Sequence, residues 1–402
     1  MITIGLNSIA DLLFQITWNS HHVRHTETYA GRRVNFWRDL LPQRVMRAMM
    51  EKQTGDSSTM AFEPGELFNN GSKTSLIQIP RHRFCGDTIG LPDLQPRVGR
   101  FYPKGVLTDM TGIFPSNREP FRIAALENGH ITIDMGHPLA AKPIALNISV
   151  GSVSPKFDER GGAVVDWIET ITQGPGMQAR WQNQVTDYFS ECAFAREDED
   201  PDKLFYAKPR LVDHLDDTAL DMVRQIYARF MHDDMHVLDL MSSWHSHLPT
   251  NVRYQQVSGL GINARELEMN PLLSEYKVHD LNDDPTLPYA DNSYDAIVCT
   301  ASVEYLIQPG AVFSEAARVL RPGGYMIITF SNRWFPPKAI HLWTQVSEFE
   351  RMGVVTEYFH QTQIFSELQT YSIRGLIRPR HDKYFGQVPF SDPIYAVWGK
   401  KL

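Results

Sequence analysis

The second half of the chain alternates short apolar runs with stretches of helical periodicity, and this alternation limits its fold most strongly. The apolar runs cover residues 236–240, 257–262, 276–279, 296–299 and 325–330. Short apolar runs joined by helices are typical of a parallel β-sheet that is covered on both faces. Such sheets bind ligands at the carboxyl ends of their strands. We therefore predict an α/β, Rossmann-like fold for this half, with a ligand site at that edge.

The first half has a different pattern. Residues 1–156 contain short segments, frequent Pro, Gly and Asn residues, and β-type runs at 130–134 and 144–150, which predict a mostly β (α+β) domain. Residues 157–204 combine amphipathic stretches with an acidic run that ends at Asp202, whose like charges favour an exposed connection. We predict a helical linker over 157–204 and a third part over 205–402. A chain of 402 residues is expected to form two or three domains, since a domain has roughly 150 residues.

The charge balance and the cysteines restrict the partners and the compartment. Lys and Arg number 39 against 47 Asp and Glu, a net charge of −8, so no global basic field is present to hold nucleic acid or an anionic membrane. The apolar stretches are shorter than the roughly 18 residues of a membrane span, and the first residues lack the features of a signal peptide. Three distant cysteines favour neither a disulfide framework nor a CxxC metal site. We predict a soluble, cytoplasmic protein that binds neither nucleic acid nor a membrane.

Motifs follow the predicted strands in a fixed order. The first three strands end near Asp239, Gly261 and Asp280, and the first runs into a turn of small residues. Two further motifs lie downstream, L-P-Y-A-D-N-S-Y-D at 287–295 and R-V-L-R-P-G-G at 318–324. Over about residues 205–400, these motifs together resemble those of the class I S-adenosylmethionine-dependent methyltransferases.

The resemblance implies a cofactor, S-adenosylmethionine, and a set of residues that bind it. In that family the loop after the first strand cradles the methionyl and ribose parts, the end of the second strand holds the ribose hydroxyls, and the end of the third meets the adenine. The segment before the first strand often folds over the cofactor as a lid. The cofactor-binding residues expected on this basis are Tyr206, Asp239, Leu240, Met241, Ser242, Ser243, Trp244, Gly261, Ile262, Asn263, Asp280, Leu281, Thr300 and Ala301.

The sequence departs from the family pattern at two places. Bulkier residues from Met241 to His245 replace the usual glycine-rich loop, and Gly261 stands where the family has an acidic residue. Asn263, two residues later, is the replacement that we predict for the ribose hydroxyls, since its amide both donates and accepts hydrogen bonds.

Methyl transfer from a sulfonium is an in-line displacement that requires alignment, exclusion of water and sometimes removal of a proton. Candidate catalytic residues are His245, with His247 in the same loop, His214 in the predicted lid, and Tyr305 after the fourth strand. No metal is expected. We predict a small-molecule acceptor, a small thiol or hydrosulfide methylated on sulfur, because a thiol needs only a neutral base. The alternative is an oxygen acceptor, a small phenol or a carboxylate.

The sequence G-H-P-L-A-A-K at 136–142, just before a predicted strand, resembles the SlyD-type branch of the FK506-binding-protein prolyl isomerases. The resemblance covers about residues 36–150, but the early tyrosine strand and the D-G-x-x-F-D signature of that family are missing. A packing, recognition or dimerising role is therefore predicted for this domain, which makes a homo-oligomer an expectation. The rival from another functional class is a prolyl isomerase or chaperone-like binding protein.

Overall fold

The computed structural model describes residues 2–68, 76–157, 161–190 and 192–402. Its strands are β1 Ser8–Ser20, β2 Val23–Asn35, β3 Ser57–Phe62, β4 Leu76–Pro80, β5 Phe101–Pro103, β6 Pro120–Glu127, β7 His130–Asp134, β8 Ile144–Pro155, β9 His236–Leu240, β10 Gln256–Gly261, β11 Glu275–Val278, β12 Tyr294–Thr300, β13 Leu320–Phe330, β14 Phe365–Arg374 and β15 Ile394–Lys401. Its α-helices are α1 Gln43–Met49, α2 Trp167–Thr172, α3 Asp202–Phe205, α4 Asp217–Tyr227, α5 Ala264–Met269, α6 Pro309–Val319, α7 His341–Gln345 and α8 Glu348–Thr362. None of the helices among these residues has the length and apolar character needed to cross a bilayer.

One large sheet contains eleven strands in the order β11-β10-β9-β12-β13-β15-β14-β2-β1-β8-β3. The strands β11, β10, β9, β12 and β13 are parallel to one another. β15 runs antiparallel to both β13 and β14. The predicted parallel sheet in the second half is confirmed. Because these strands share one direction, the carboxyl ends of β9, β10 and β12 meet at one edge.

Helices cover both faces of this part of the sheet. On one face, side chains of β12 such as Ile297 pack with Phe313 of α6 and Val355 of α8. On the other face, side chains of β9 and β12 pack with α4, which contributes Val223 and Ile226. The alternation of side chains along each strand sends neighbouring residues to opposite cores, which is why the runs are apolar at nearly every position.

The first half joins the same sheet. β14 pairs in parallel with β2, from Leu368 opposite Val23 to Arg374 opposite Tyr29. Strands β1, β8 and β3 then extend the sheet by antiparallel pairing. A second sheet of four strands, in the order β4-β7-β6-β5, stands beside it. The predicted β-rich character of the first half agrees with these strands, whereas its resemblance to prolyl isomerases stays a prediction.

The segment predicted to be a helical linker is mostly irregular. Within its described residues, helical structure is limited to α2, the first residues of α3 and one 3₁₀ turn at residues 181–183. The prediction of a helical segment over 157–204 is therefore wrong in its main feature, because the amphipathic pattern reflects packing of an extended chain rather than helical periodicity. For example, Tyr188 is buried and lies in the same core as Tyr358 of α8.

The acidic run at residues 196–202 is mostly exposed, as expected, but two cations hold it in place. The fully buried Lys338 ammonium donates to the backbone oxygens of Asp198 and Asp200 and lies 3.3 Å from the Asp202 carboxylate. Arg196 forms a second ion pair with Asp202, at 2.7 Å. Two cations thus compensate the repulsion that was expected to push this run into solvent, since a paired charge tolerates burial far better than a single one.

Glu27 connects three distant parts of the chain. Its carboxylate on β2 accepts hydrogen bonds from the Ser372 hydroxyl on β14 and from the Gln178 side-chain amide, the latter at 2.5 Å. Burial raises the pKa of Glu27 to about 7, against the lowering effect of these hydrogen bonds and of Arg374. The carboxyl group therefore holds its proton more tightly in the folded protein than in the unfolded chain.

Wild type is expected to lose stability as the pH rises from 5 to 8. Roughly 2 to 3 kcal/mol of this loss should be absent in Glu27→Gln. Because the pKa is raised on folding, the stability that Glu27 contributes is complete below pH 4.5 and is lost as the pH rises through about 7. Urea unfolding of wild type and Glu27→Gln at both pH values measures this. Glu367→Gln, which changes an exposed carboxylate on β14, is the control. Equal pH dependence in wild type and Glu27→Gln would contradict the assignment.

Candidate active site

A cavity opens at the carboxyl ends of β9, β10 and β12, where the predicted site residues come together. Sixteen of the eighteen predicted residues line it: Tyr206, His214, Asp239, Met241, Ser242, Ser243, Trp244, His245, His247, Gly261, Ile262, Asp280, Leu281, Thr300, Ala301 and Tyr305. They come from five separate stretches of sequence, brought together by the parallel strands and by the segment at residues 206–214, which we call the lid segment.

The two remaining predicted residues do not line the cavity. Leu240 is buried in the core beneath the site, with 1% of its surface exposed. The amide oxygen of Asn263 accepts from the backbone N–H groups of Arg265 and Glu266 and so caps α5, while its amide nitrogen donates to the backbone oxygen of Tyr206 at 2.7 Å. Our expectation that Asn263 holds the ribose hydroxyls is corrected, because both ends of its amide have structural partners.

The glycine at the end of β10 has a steric cause. A Cβ atom at Gly261 would lie 2.2 Å from the backbone oxygen of Ser242, because the loop after β9 crosses directly over this strand end. The Ser242 N–H donates to the backbone oxygen of Leu260 at 2.7 Å and holds the loop there. This sequence therefore cannot carry at position 261 the acidic side chain that the family has there.

Glu266 provides a carboxylate close to that position, which our reading of the sequence did not identify. It lies on α5, lines the cavity and is largely buried. One of its carboxylate oxygens accepts from the backbone N–H of Arg210 in the lid segment, and the other accepts from the Ser243 hydroxyl, both at 2.7 Å. The sequence signal was the N-cap Asn263, which places the next helical turn, and Glu266 with it, at the cavity wall.

The loop after β9 has an acidic side chain beneath it. The Ser242 hydroxyl donates to the Asp239 carboxylate at 2.6 Å, and Met241 adopts a left-handed conformation with φ of 57°. Burial raises the pKa of Asp239 to about 7 even though serine hydroxyls donate to it. The turn that glycines usually form is made here by a methionine whose side chain faces the cavity.

The lid segment is attached to the sheet edge at both ends. Asn263 holds it at Tyr206, as described, and the indole N–H of Trp244 donates to the backbone oxygen of Val212 at 3.3 Å. Next to that contact, the Asp213 carboxylate lies 3.1 Å from Nδ1 of His245. Cavity-lining residues that our motif analysis missed therefore include Arg210 and Asp213 of the lid segment, because nothing in the local sequence shows which strand end a preceding segment covers.

The candidate catalytic groups differ in their electrostatic surroundings. His245 stacks on Trp244 and is half-exposed, with Asp213 at Nδ1 and no partner at Nε2 among the described residues. Burial lowers the pKa of His247 to about 4, and burial together with Arg210 lowers that of His214. Burial raises the pKa of Tyr305 well above its usual range, and its hydroxyl accepts the backbone N–H of Phe335 at 2.9 Å.

At the adenine side of the expected site, Asp280 follows β11. Its carboxylate accepts the backbone N–H of Asn282 at 3.0 Å, and partial burial raises its pKa. The Asn282 amide donates to the Asp202 carboxylate and to the backbone oxygen of Tyr305. Asp202 thus reaches the cavity wall from the acidic run, which our sequence analysis treated only as a connection.

Comparison with known proteins supports the resemblance. Residues 246–328 match a family described as a methyltransferase domain. Solved structures that resemble the chain include a SAM-dependent methyltransferase from Methanosarcina mazei, 17% identical, covering 44% of this chain and 97% of that one with a TM-score of 0.30. Another is a SAM-dependent methyltransferase from Aquifex aeolicus, 16% identical, covering 47% and 91% with a TM-score of 0.31. No curated relative matches the sequence.

The family match lies within the part of the chain that forms the parallel sheet and its cavity. It begins in the loop after β9 and ends in β13. Residues 246–328 thus match a methyltransferase domain and lie within a parallel sheet of the class I type, for which S-adenosylmethionine is the expected cofactor.

Proposed function

We propose that this enzyme transfers a methyl group from S-adenosylmethionine to sulfur in a small thiol or hydrosulfide. The observation that carries the proposal is the pair formed by His245 and Asp213, with 3.1 Å between Nδ1 and the carboxylate, in the cavity wall. The carboxylate fixes the ring so that Nε2 is the nitrogen that can accept a proton. A thiol, with a pKa near 8.5, needs only such a neutral imidazole to become a nucleophile.

The chemistry of the cavity wall fits the cofactor. Five acidic side chains line it, and they favour the positive sulfonium and amino groups; they are Asp202, Asp213, Asp239, Glu266 and Asp280. Apolar side chains, Ile262 and Leu281 among them, are suited to the faces of the adenine ring. Glu266 takes the place of the acidic residue that Gly261 excludes, since a carboxylate keeps lone pairs free after accepting two hydrogen bonds.

The chain's own groups then have defined roles. When bound, S-adenosylmethionine supplies a methyl group on a positively charged sulfur. Nε2 of His245 takes the proton of the thiol, and the thiolate sulfur forms its bond to the methyl carbon as the bond from that carbon to the sulfonium breaks. The products are S-adenosylhomocysteine and a methyl thioether, or methanethiol where the acceptor is hydrosulfide, and the proton remains on His245, beside the Asp213 carboxylate.

Other candidate bases are less suited to this step. The pKa of His247 is lowered to about 4 by burial, so its ring is a weak base. The Tyr305 phenol keeps its proton because burial raises its pKa, and since its oxygen already accepts the Phe335 N–H, its O–H is free to donate. We therefore assign Tyr305 a positioning role. The same base would serve a phenol or a carboxylate, which remain the alternative acceptors.

Binding of S-adenosylhomocysteine, measured by isothermal titration calorimetry, tests the cofactor assignment. Wild type is expected to bind it, and Asp280→Ala and Glu266→Ala are expected to weaken binding by about tenfold or more, because each removes a charged hydrogen-bond acceptor. Asp291→Ala, which alters an exposed carboxylate paired with Arg318, should not. Absence of wild-type binding at millimolar ligand would rule out the function.

The pH dependence of methyl transfer to a simple alkyl thiol tests the base. His245→Ala is expected to lower kcat/KM at pH 7 by about 100-fold, with recovery towards wild type as the pH approaches the pKa of the thiol, since the thiolate then forms in solution. Asp213→Asn should show a smaller loss in the same direction.

His381→Ala is a matched control, because His381 also pairs with an aspartate, Asp217, but on the surface. Its activity should equal that of wild type. If the intact enzyme turns over no thiol and methylates a phenol or a carboxylate, the sulfur acceptor is wrong and the oxygen alternative takes its place.

A further inference from the structure

Arg210 differs from the other residues of the cavity wall. Among the described residues that line the cavity, it is the one lysine or arginine, and it faces a wall with five carboxylic acids. Its backbone N–H is bound to Glu266, but its guanidinium forms no ion pair with any carboxylate in the described part of the chain. Most arginines of this protein that lie near acidic side chains are paired with them, as Arg318 is with Glu315 and Asp291.

The guanidinium is enclosed by aromatic rings, and one of its nitrogens lacks an acceptor. Its central carbon lies 4.4 Å from the ring centre of Phe205, 5.2 Å from that of Tyr206 and 4.9 Å from that of Phe335. Nη2 donates to the backbone oxygen of Phe205 at 3.1 Å, whereas Nη1 is buried and has no partner. A buried donor without an acceptor costs about 1–3 kcal/mol, more when it is charged, so a ligand that supplies an acceptor gains this energy.

Further hydrogen-bonding groups surround the same ring. The His214 ring centre lies 5.1 Å from that of Phe335, and the Tyr305 ring centre lies 6.1 Å from it, with the free O–H of Tyr305 beside the backbone N–H of Phe335. An anion at Arg210 would therefore have further donors close by. The surrounding rings would enclose the apolar body of a small ligand.

We infer that Arg210 binds a carboxylate of the methyl acceptor, so that the preferred substrate is a small thiol that also carries a carboxylate. The planar guanidinium fork matches a carboxylate, to which it can form two parallel hydrogen bonds. The acidic wall repels an anion everywhere else, so this single cation would also fix the orientation of the acceptor. This inference rests on the proposed function for the transferred methyl group.

The position of Arg210 favours the acceptor over the carboxylate of the cofactor. The methionyl part of the cofactor is expected along the loop after β9, whereas the guanidinium packs on Phe335, after β13. β12 lies between these two strands in the sheet, and the backbone N–H of Arg210, bound to Glu266, lies on the β9 side of the site, so the side chain extends from there towards the β13 side. Arg210 and Asp213 are three residues apart, so their Cα atoms lie within about 11 Å even in extended chain. Both residues line the same cavity as His245, which allows one acceptor to contact Arg210 and the base.

The test compares two thiols with the same three-carbon chain, 3-mercaptopropionate and 1-propanethiol, with wild type, Arg210→Gln and Arg210→Lys. Wild type is expected to show a kcat/KM at least tenfold higher for 3-mercaptopropionate. Arg210→Gln should remove most of this preference, and Arg210→Lys should restore only part of it, because a lysine lacks the fork. Arg265→Gln, which changes an exposed arginine paired with Glu268, should keep the wild-type ratio.

Three outcomes would overturn the inference. The first is a wild-type enzyme without preference between the two thiols. The second is a preference that survives Arg210→Gln. The third is an Arg210→Gln enzyme whose affinity for S-adenosylhomocysteine falls while its ratio of kcat/KM values for the two thiols stays at the wild-type value. That result would assign Arg210 to the carboxylate of the cofactor.

Failure of the sulfur chemistry can be told apart from failure of the carboxylate site. If no thiol is methylated, the same comparison is made with 4-hydroxybenzoate and phenol, where a preference for 4-hydroxybenzoate that Arg210→Gln removes supports the site. If neither pair is turned over, equilibrium dialysis of labelled 3-mercaptopropionate against protein saturated with S-adenosylhomocysteine decides. Binding by wild type and its loss in Arg210→Gln support the inference, and absence of wild-type binding overturns it.

Discussion

The parallel pairing of β9, β10 and β12 is the constraint on which the site depends. In a parallel pair, every strand ends at the same edge, so residues separated by tens of positions in sequence meet in one cavity. The loop after β9 then crosses so close to β10 that only glycine fits at position 261. This close approach removes one carboxylate from the site, and Glu266, in the first turn of α5, supplies another.

The lid segment covers part of this edge and forms one wall of the cavity. Hydrogen bonds from Asn263 and Trp244 hold its two ends, and Glu266 holds its middle through the Arg210 N–H. The same segment brings Asp213 to His245 and places the Arg210 guanidinium among aromatic rings. Ordering of the lid, orientation of the proposed base and binding of the proposed anion are therefore coupled through one stretch of nine residues.

The two halves of the chain share one sheet instead of meeting through loops. β2 and β14 form a parallel pair, and Glu27, Ser372 and Gln178 make a buried hydrogen-bonded cluster across that junction. A fully buried hydrogen-bonded cluster is costly to open, since each group left without a partner pays its desolvation penalty. The first half is consequently part of the structural support of the methyltransferase sheet.

The sequence by itself determined the parallel sheet, its direction and most of the cavity wall. Apolar runs and helical periodicity are local properties, and residues after such strands must lie at the ligand-binding edge, which is why Asp239, Asp280 and Thr300 could be located in advance. Glu266, Asp213 and Arg210 could not be assigned, because their roles depend on contacts between segments far apart in sequence. Likewise, Asn263 was available as a ribose ligand by its chemistry, but the structure uses its amide to cap α5 and hold the lid. Only the tertiary structure decided the pairing of β2 with β14 and the burial of Lys338 beside the acidic run. In both cases, partners that are distant in sequence change the free energy that each segment would have alone.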